Sequence, residues 1–148
     1  MKPEAGKLIA VAAGHLMMKT APALEPGYEQ SSVAGLAALL MAAGEELERG
    51  VARRVEENAA MRRLFRLGAQ RLGRPDLYPR LEEASVSTDE SLLISDLERS
   101  NAELRELLIE MHAHVETLDN DAARMLERLI WRELVASTER RRLGLESF

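Results

Sequence analysis

Acidic residues and histidines crowd two stretches of the chain, and they are its first candidates for chemistry. They are Glu45, Glu46, Glu48, Glu56 and Glu57 in the earlier stretch and Glu110, His112, His114 and Glu116 in the later one. Carboxylates and imidazoles are common ligands of zinc and of di-iron centres. Both stretches therefore raise the question of a metal site or an acid–base centre.

The spacing of these residues argues against a strong metal motif. A di-iron helical bundle needs inward-facing Glu-x-x-His motifs, and the sequence contains none. His112 and His114 are two residues apart and would point about 200° apart on a helix, so they cannot bind one ion together. Glu110 and His114 are four apart and share a face. The sequence therefore predicts no catalytic residue, cofactor or metal, with Glu110 and His114 as a weak alternative metal pair.

The later stretch lies within a heptad pattern. Its apolar residues alternate in steps of three and four, and they are Ile94, Leu97, Leu104, Leu108, Met111, Val115 and Leu118. One polar residue, Asn101, interrupts the series. This pattern is typical of a coiled-coil helix whose apolar side faces another helix.

The composition favours the same fold class. The chain of 148 residues is 46% hydrophobic but only 3% aromatic. Chains of this Ala-, Leu-, Arg- and Glu-rich kind are usually all helical. We expect an all-α fold, an antiparallel helical bundle of four to five helices with long heptad-patterned helices.

Charge and cysteine content limit the partners and the location. The formal net charge of −5 argues against a general nucleic-acid binder. The chain has no cysteine, which excludes a disulfide framework and fits a cytoplasmic location. No apolar run reaches the ~18 residues that a membrane-spanning helix needs, so no membrane span is expected.

Helix-breaking residues suggest one domain, 1–148, with five segments. These are an N-terminal helix and turn (1–27), a long helix (28–73), a connector (74–87), a heptad helix (88–118) and a C-terminal helix (119–142). Pro22, Pro26 and Gly27 end the first helix and turn the chain, and Pro79 interrupts any helix in the connector. Ser87 and Glu90 form a capping box that starts the heptad helix. Asp119, Asn120 and Asp121 predict a break or kink before the last helix.

Asn58 and Asn101 are predicted to form a buried polar pair. If the two long helices form an antiparallel hairpin centred near residue 81, the two asparagines reach similar heights. The same register places Phe65 near Ile94 and Val51 near Leu108. The sequence around Asn58 also resembles that around Asn101, which we interpret as a shared heptad phase rather than a duplication.

The function hypotheses follow from the long apolar seams. The Ala- and Gly-rich first part of the long helix carries an apolar stripe that the other helices do not fully cover, formed by Val33, Leu36, Leu40 and Leu47. Such a stripe predicts self-association, most simply as a homodimer. We expect a non-enzymatic helical interaction or assembly protein that forms a homo-oligomer and has a possible protein partner. The alternatives are a helical-bundle enzyme or carboxylate/histidine metal protein, and an accessory subunit of an enzyme.

Overall fold

The computed structural model describes residues 4–142, and it confirms the all-α helical bundle. Helices account for 81% of the described residues, and no strand occurs among them. The α-helices are α1 (Ala5–His15), α2 (Ala21–Ala23), α3 (Tyr28–Ala69), α4 (Tyr78–Val86), α5 (Ile94–Val115) and α6 (Asp121–Arg141). A π-helical turn, Leu16–Thr20, connects α1 to α2.

Contacts divide the described residues into two compact units. The first unit, residues 4–50, contains α1, α2 and the first part of α3. The second unit, Val51–Arg142, contains the remainder of α3 together with α4, α5 and α6.

The first unit is a helical hairpin. A Cβ atom added to Gly44 would lie 3.3 Å from Ile9 Cγ2, so α1 packs closely against α3 at this glycine. Gln30 Nε2 donates a hydrogen bond of 3.2 Å to the Ala21 carbonyl, so α2 lies beside the start of α3. The two segments therefore run antiparallel. The helical segment ends at Ala23, directly after Pro22 and before Pro26 and Gly27, as predicted.

In the second unit, glycine and proline shape the connection from α3 to α5. Gly73 follows the end of α3 with a φ of 58°, a left-handed conformation that glycine adopts without strain. Pro79 lies in the first turn of α4, where a missing N–H costs no helical hydrogen bond. The expected interruption at Pro79 is therefore wrong, and α4 continues to Val86.

The start of α5 differs from the prediction, whereas the break that follows the helix agrees with it. The capping box of Ser87 and Glu90 is wrong, since α5 begins at Ile94 and the Ser87 hydroxyl instead donates to the Ala84 carbonyl at the end of α4. The break before the last helix is confirmed. Asn120 is the N-cap of α6, and its Oδ1 accepts a hydrogen bond of 2.9 Å from the Ala123 backbone N–H.

Consecutive helices of the second unit run antiparallel, but α3 and α5 run parallel. Asn58 of α3 lies beside Asn101 of α5, and ten residues further along each helix Gly68 lies beside Met111. The predicted antiparallel hairpin of these two helices is therefore wrong. The short α4 causes the difference, because it returns the chain along α3 before α5 begins.

The seam of α5 forms the core of this unit. Leu97, Met111 and Val115 are at most 1% exposed, and Leu104 and Leu108 are each 6% exposed, as the heptad pattern predicts. From Leu104 to Val115 the seam forms one hydrophobic cluster with Phe65 of α3 and with Leu126 and Ile130 of α6. Among residues 4–142, no helix combines the length and the apolar character needed to cross a membrane.

Candidate functional site: a buried polar network

The second unit contains a buried polar network centred on Glu57. This residue of α3 is 1% exposed, although its neighbour Glu56 is exposed. Its carboxylate accepts hydrogen bonds from the side chains of two other helices, and the donors are Asn101 and Arg105 of α5 and Ser137 and Arg141 of α6. Glu57 thus connects α3, α5 and α6 at one level of the bundle.

Arg141 makes the closest contacts with Glu57. Its Nη2 lies 2.7 Å from Glu57 Oε2, and its Nε lies 2.9 Å from Oε1. This two-point geometry matches the guanidinium fork to the two carboxylate oxygens. Arg105 Nη2 donates to Oε2 at 3.1 Å, and the Ser137 hydroxyl donates to Oε1 at 2.9 Å. Two arginines therefore neutralise one buried carboxylate.

The surroundings of Glu57 determine its ionisation. Burial alone would raise the pKa of this carboxyl, but hydrogen bonds from Arg141, Ser137 and Arg105 outweigh burial and lower the pKa from 4.5 to about 2. A general base at neutral pH needs a pKa much nearer 7. Glu57 therefore remains ionised and is poorly suited to accept a proton, which favours a structural role.

The two predicted asparagines lie beside Glu57. Both are completely buried, and Asn101 Nδ2 donates a hydrogen bond of 2.8 Å to Asn58 Oδ1. Asn101 Oδ1 in turn accepts from Arg105 Nε at 2.7 Å. The structure thus brings the pair together, but in a parallel rather than an antiparallel register. The two similar sequence segments are offset by the same 43 residues as this hydrogen-bonded pair.

Asp89 extends the network towards the segment between α4 and α5. Asn58 Nδ2 donates to Asp89 Oδ1 at 3.0 Å, and Arg62 donates to both carboxylate oxygens at 2.8 and 3.0 Å. The hydrogen bonds from Arg62 lower the pKa of Asp89 and outweigh the opposing effect of burial. The non-helical segment that replaces the predicted capping box is thereby fixed to α3.

A groove of about 640 Å³ opens beside Asp89, between α4 and α5. Acidic and basic side chains both line it, among them Arg80, Glu83, Arg99 and Glu103. At its inner end, Arg62 and Asp89 are bonded to each other. Six acidic residues and three arginines line the groove, so its charge favours a cation over an anion.

The weak alternative metal pair does not form a site with a third ligand. Glu110 is engaged with arginines, because its carboxylate lies 2.6 Å from Arg80 and 3.7 Å from Arg74. His114 has a buried Nε2 without a hydrogen-bond partner. Within residues 4–142, the group that could hold a metal ion is instead His112, Glu116 and Glu127.

The sequence revealed only part of these two clusters. Glu57 was visible as one of several glutamates, and nothing in its spacing separates it from the exposed Glu56. Nothing in the sequence indicated that Glu57 would bind Arg105, Ser137 and Arg141. These residues approach Glu57 only when α5 and α6 pack against α3. His112 and Glu116 are four residues apart, and this spacing places them on one face of a helix, so it is a signal for a shared site.

The predicted interface residues lie in the first unit. Val33 and Leu40 are half-buried, whereas Leu36 is 54% exposed and Leu47 is 49% exposed.

No protein-family model, curated protein or solved structure matches the chain.

Proposed function

We propose that the protein is a non-enzymatic interaction and assembly protein that forms a homodimer through its first unit. The observation that carries the proposal is the burial pattern of residues 4–50. Their buried members are small, namely Ala13, Ala21, Ala37 and Gly50. Large apolar side chains of the same unit are exposed, and they are Leu8, Val11, Met18, Leu36, Leu39 and Leu47.

A two-helix hairpin is too small to bury all of the large apolar side chains in residues 4–50. Complete burial of a leucine or methionine side chain contributes about 1.5–3 kcal/mol relative to exposure. The first unit lacks much of this stabilisation, because its large apolar side chains are exposed to solvent. A second copy of the hairpin would cover them, and closed two-fold pairing is the commonest arrangement for doing so.

The four predicted interface residues fall on one side of α3. Leu36, Leu40 and Leu47 lie within about 40° of one another at 100° per residue, and Val33 lies about 60° from Leu36. Ala43 lies about 20° from Leu36, so it adjoins this stripe, and its small side chain would allow a second helix to approach closely. The dimer interface proposed here is this stripe, with a total buried area above ~1,000 Å².

Sedimentation velocity of the full chain tests the proposal. We expect one species at twice the 16.5 kDa monomer mass at micromolar concentration. The double variant Leu36→Glu/Leu47→Glu should sediment as a monomer, because charges at these positions would be desolvated in the interface. The matched control is Ile109→Glu, since Ile109 is an exposed apolar residue of the second unit, and this variant should remain dimeric.

Two results would contradict the proposal. One is a wild-type chain that sediments only at the monomer mass, which is the behaviour expected of an accessory subunit that awaits a different protein. The other is a dimer that survives the double substitution in the stripe.

The low pKa of Glu57 supports the non-catalytic part of the proposal. We also propose a cytoplasmic location, which the lack of cysteine fits.

A further inference from the structure

We propose that His112, Glu116 and Glu127 form a binding site for a divalent metal ion of the zinc class. His112 and Glu116 lie one helical turn apart, in the last turn of α5 and at its C-cap, and Glu127 faces them from α6. One ligand atom of each residue lies within 4.8 Å of the other two. One nitrogen and two carboxylate oxygens are ligand types that zinc binds in proteins.

The required closure is small. Two ligands bound tetrahedrally to one zinc ion at ~2.1 Å lie roughly 3.4 Å apart. The present limit of 4.8 Å is thus about 1.4 Å greater. His112 Nε2 and Glu116 Oε1 already lie 3.6 Å apart, and Glu116 is exposed, so its side chain has room to adjust around an ion.

An unsatisfied nitrogen provides a second, independent observation. His112 Nε2 is buried and has no hydrogen-bond partner within the described residues. Glu116 Oε1 lies 3.6 Å from this nitrogen, which is too long for a hydrogen bond. A buried polar atom without a partner costs about 1–3 kcal/mol. A metal ion at the centre of the three ligands would bind the lone pair of this nitrogen.

The local field favours a cation at the same place. The last carbonyl groups of a helix carry partial negative charge, and α5 ends at Val115, between His112 and Glu116. The two carboxylates together carry the charge that balances a divalent ion. Three protein ligands would leave a fourth position of the ion for water.

Trp131 supplies an optical reporter of the site. Its ring lies edge-to-face with the His112 ring, and the two ring centroids are 5.5 Å apart. It is also the only tryptophan of the chain. A paramagnetic ion such as Cu²⁺ bound at His112 should therefore quench the tryptophan emission.

The first experiment is calorimetric titration of the metal-free full chain with Zn²⁺. We expect saturable binding of one ion per chain. Glu116→Gln and Glu127→Gln should each weaken binding at least tenfold, because each removes a charged ligand while its shape is kept. The matched controls are Glu110→Gln and His114→Asn, which alter the other carboxylate–histidine pair of α5 and should leave the affinity unchanged.

The second experiment follows Trp131 emission during addition of Cu²⁺. Quenching should be stoichiometric in the wild type and in Glu110→Gln, and it should require at least tenfold more Cu²⁺ in Glu127→Gln. Absence of saturable Zn²⁺ binding would overturn the proposal. Binding that persists in Glu127→Gln, or that is lost in His114→Asn alone, would equally overturn it by placing the ion elsewhere.

Discussion

Replacement of Glu57 by glutamine removes the charge at the centre of the polar network and nearly conserves the shape of the side chain. Glu57→Gln leaves Arg105 and Arg141 facing a neutral amide. Lowering the pKa of Glu57 from 4.5 to about 2 corresponds to about 3 kcal/mol of stabilisation, at 1.36 kcal/mol per pKa unit. We expect the variant to lose about this much free energy of unfolding at pH 7.

The effect of this substitution has a definite pH dependence. The pKa of Glu57 is lowered in the folded state, so its contribution is complete above about pH 4.5 and is lost as the pH falls through about 2. At pH 3 about 1 kcal/mol of the contribution should remain. The difference between wild type and Glu57→Gln should therefore shrink by about 2 kcal/mol between pH 7 and pH 3.

Urea denaturation followed by far-ultraviolet circular dichroism measures this difference directly. The experiment compares wild type, Glu57→Gln and Glu56→Gln at pH 7, 5 and 3. Glu56 is the exposed neighbour, so Glu56→Gln should change the free energy of unfolding by no more than about 0.5 kcal/mol. A loss below about 1 kcal/mol for Glu57→Gln at pH 7, or a loss that does not depend on pH, would refute this account of the network.

Two further substitutions test the packing of the bundle. Gly68→Ala should destabilise the chain by about 1–3 kcal/mol, because the added Cβ would lie 2.5 Å from Sδ of the buried Met111, whereas Gly14→Ala meets no atom within 4 Å and should not destabilise it. Thermal melts of the two variants provide the comparison, and equal melting temperatures would show that α3 and α5 do not approach closely at Gly68. Leu108→Ala should cost about 2–5 kcal/mol in urea melts, since Leu108 is 6% exposed, and a cost below about 1 kcal/mol would mean that the seam faces water.

The sequence by itself determined the helices and their buried sides. Apolar residues at alternating steps of three and four place Leu97 and Val115 on one side of a helix whatever lies opposite, because helical periodicity is a local property. The break at Asn120 is also local, since a side-chain oxygen that accepts from a backbone N–H three residues later starts a helix. For the same reason the sequence placed Asn58 and Asn101 on the core side of their helices.

Only the tertiary structure decided the direction of α3 relative to α5. A heptad pattern indicates which side of a helix is buried. The same pattern is expected whether the neighbouring helix is parallel or antiparallel. The contact between the two asparagines does not reveal the direction either. Two antiparallel helices can also bring one residue of each helix to the same height. The direction of α5 relative to α3 depended instead on the short helix α4. This helix forms because Pro79 lies in its first turn rather than in its interior.

The partners of Glu57 and of His112 were likewise decided by packing between distant segments. Arg141 lies 84 residues from Glu57 in the sequence, and Glu127 reaches His112 only because α6 folds back along α5. Spacing along one helix carries information about neighbours three or four residues away and none about a side chain on another helix. A buried carboxylate is stable only where such distant cations converge on it, so the network exists in the folded bundle and in no isolated segment of the chain.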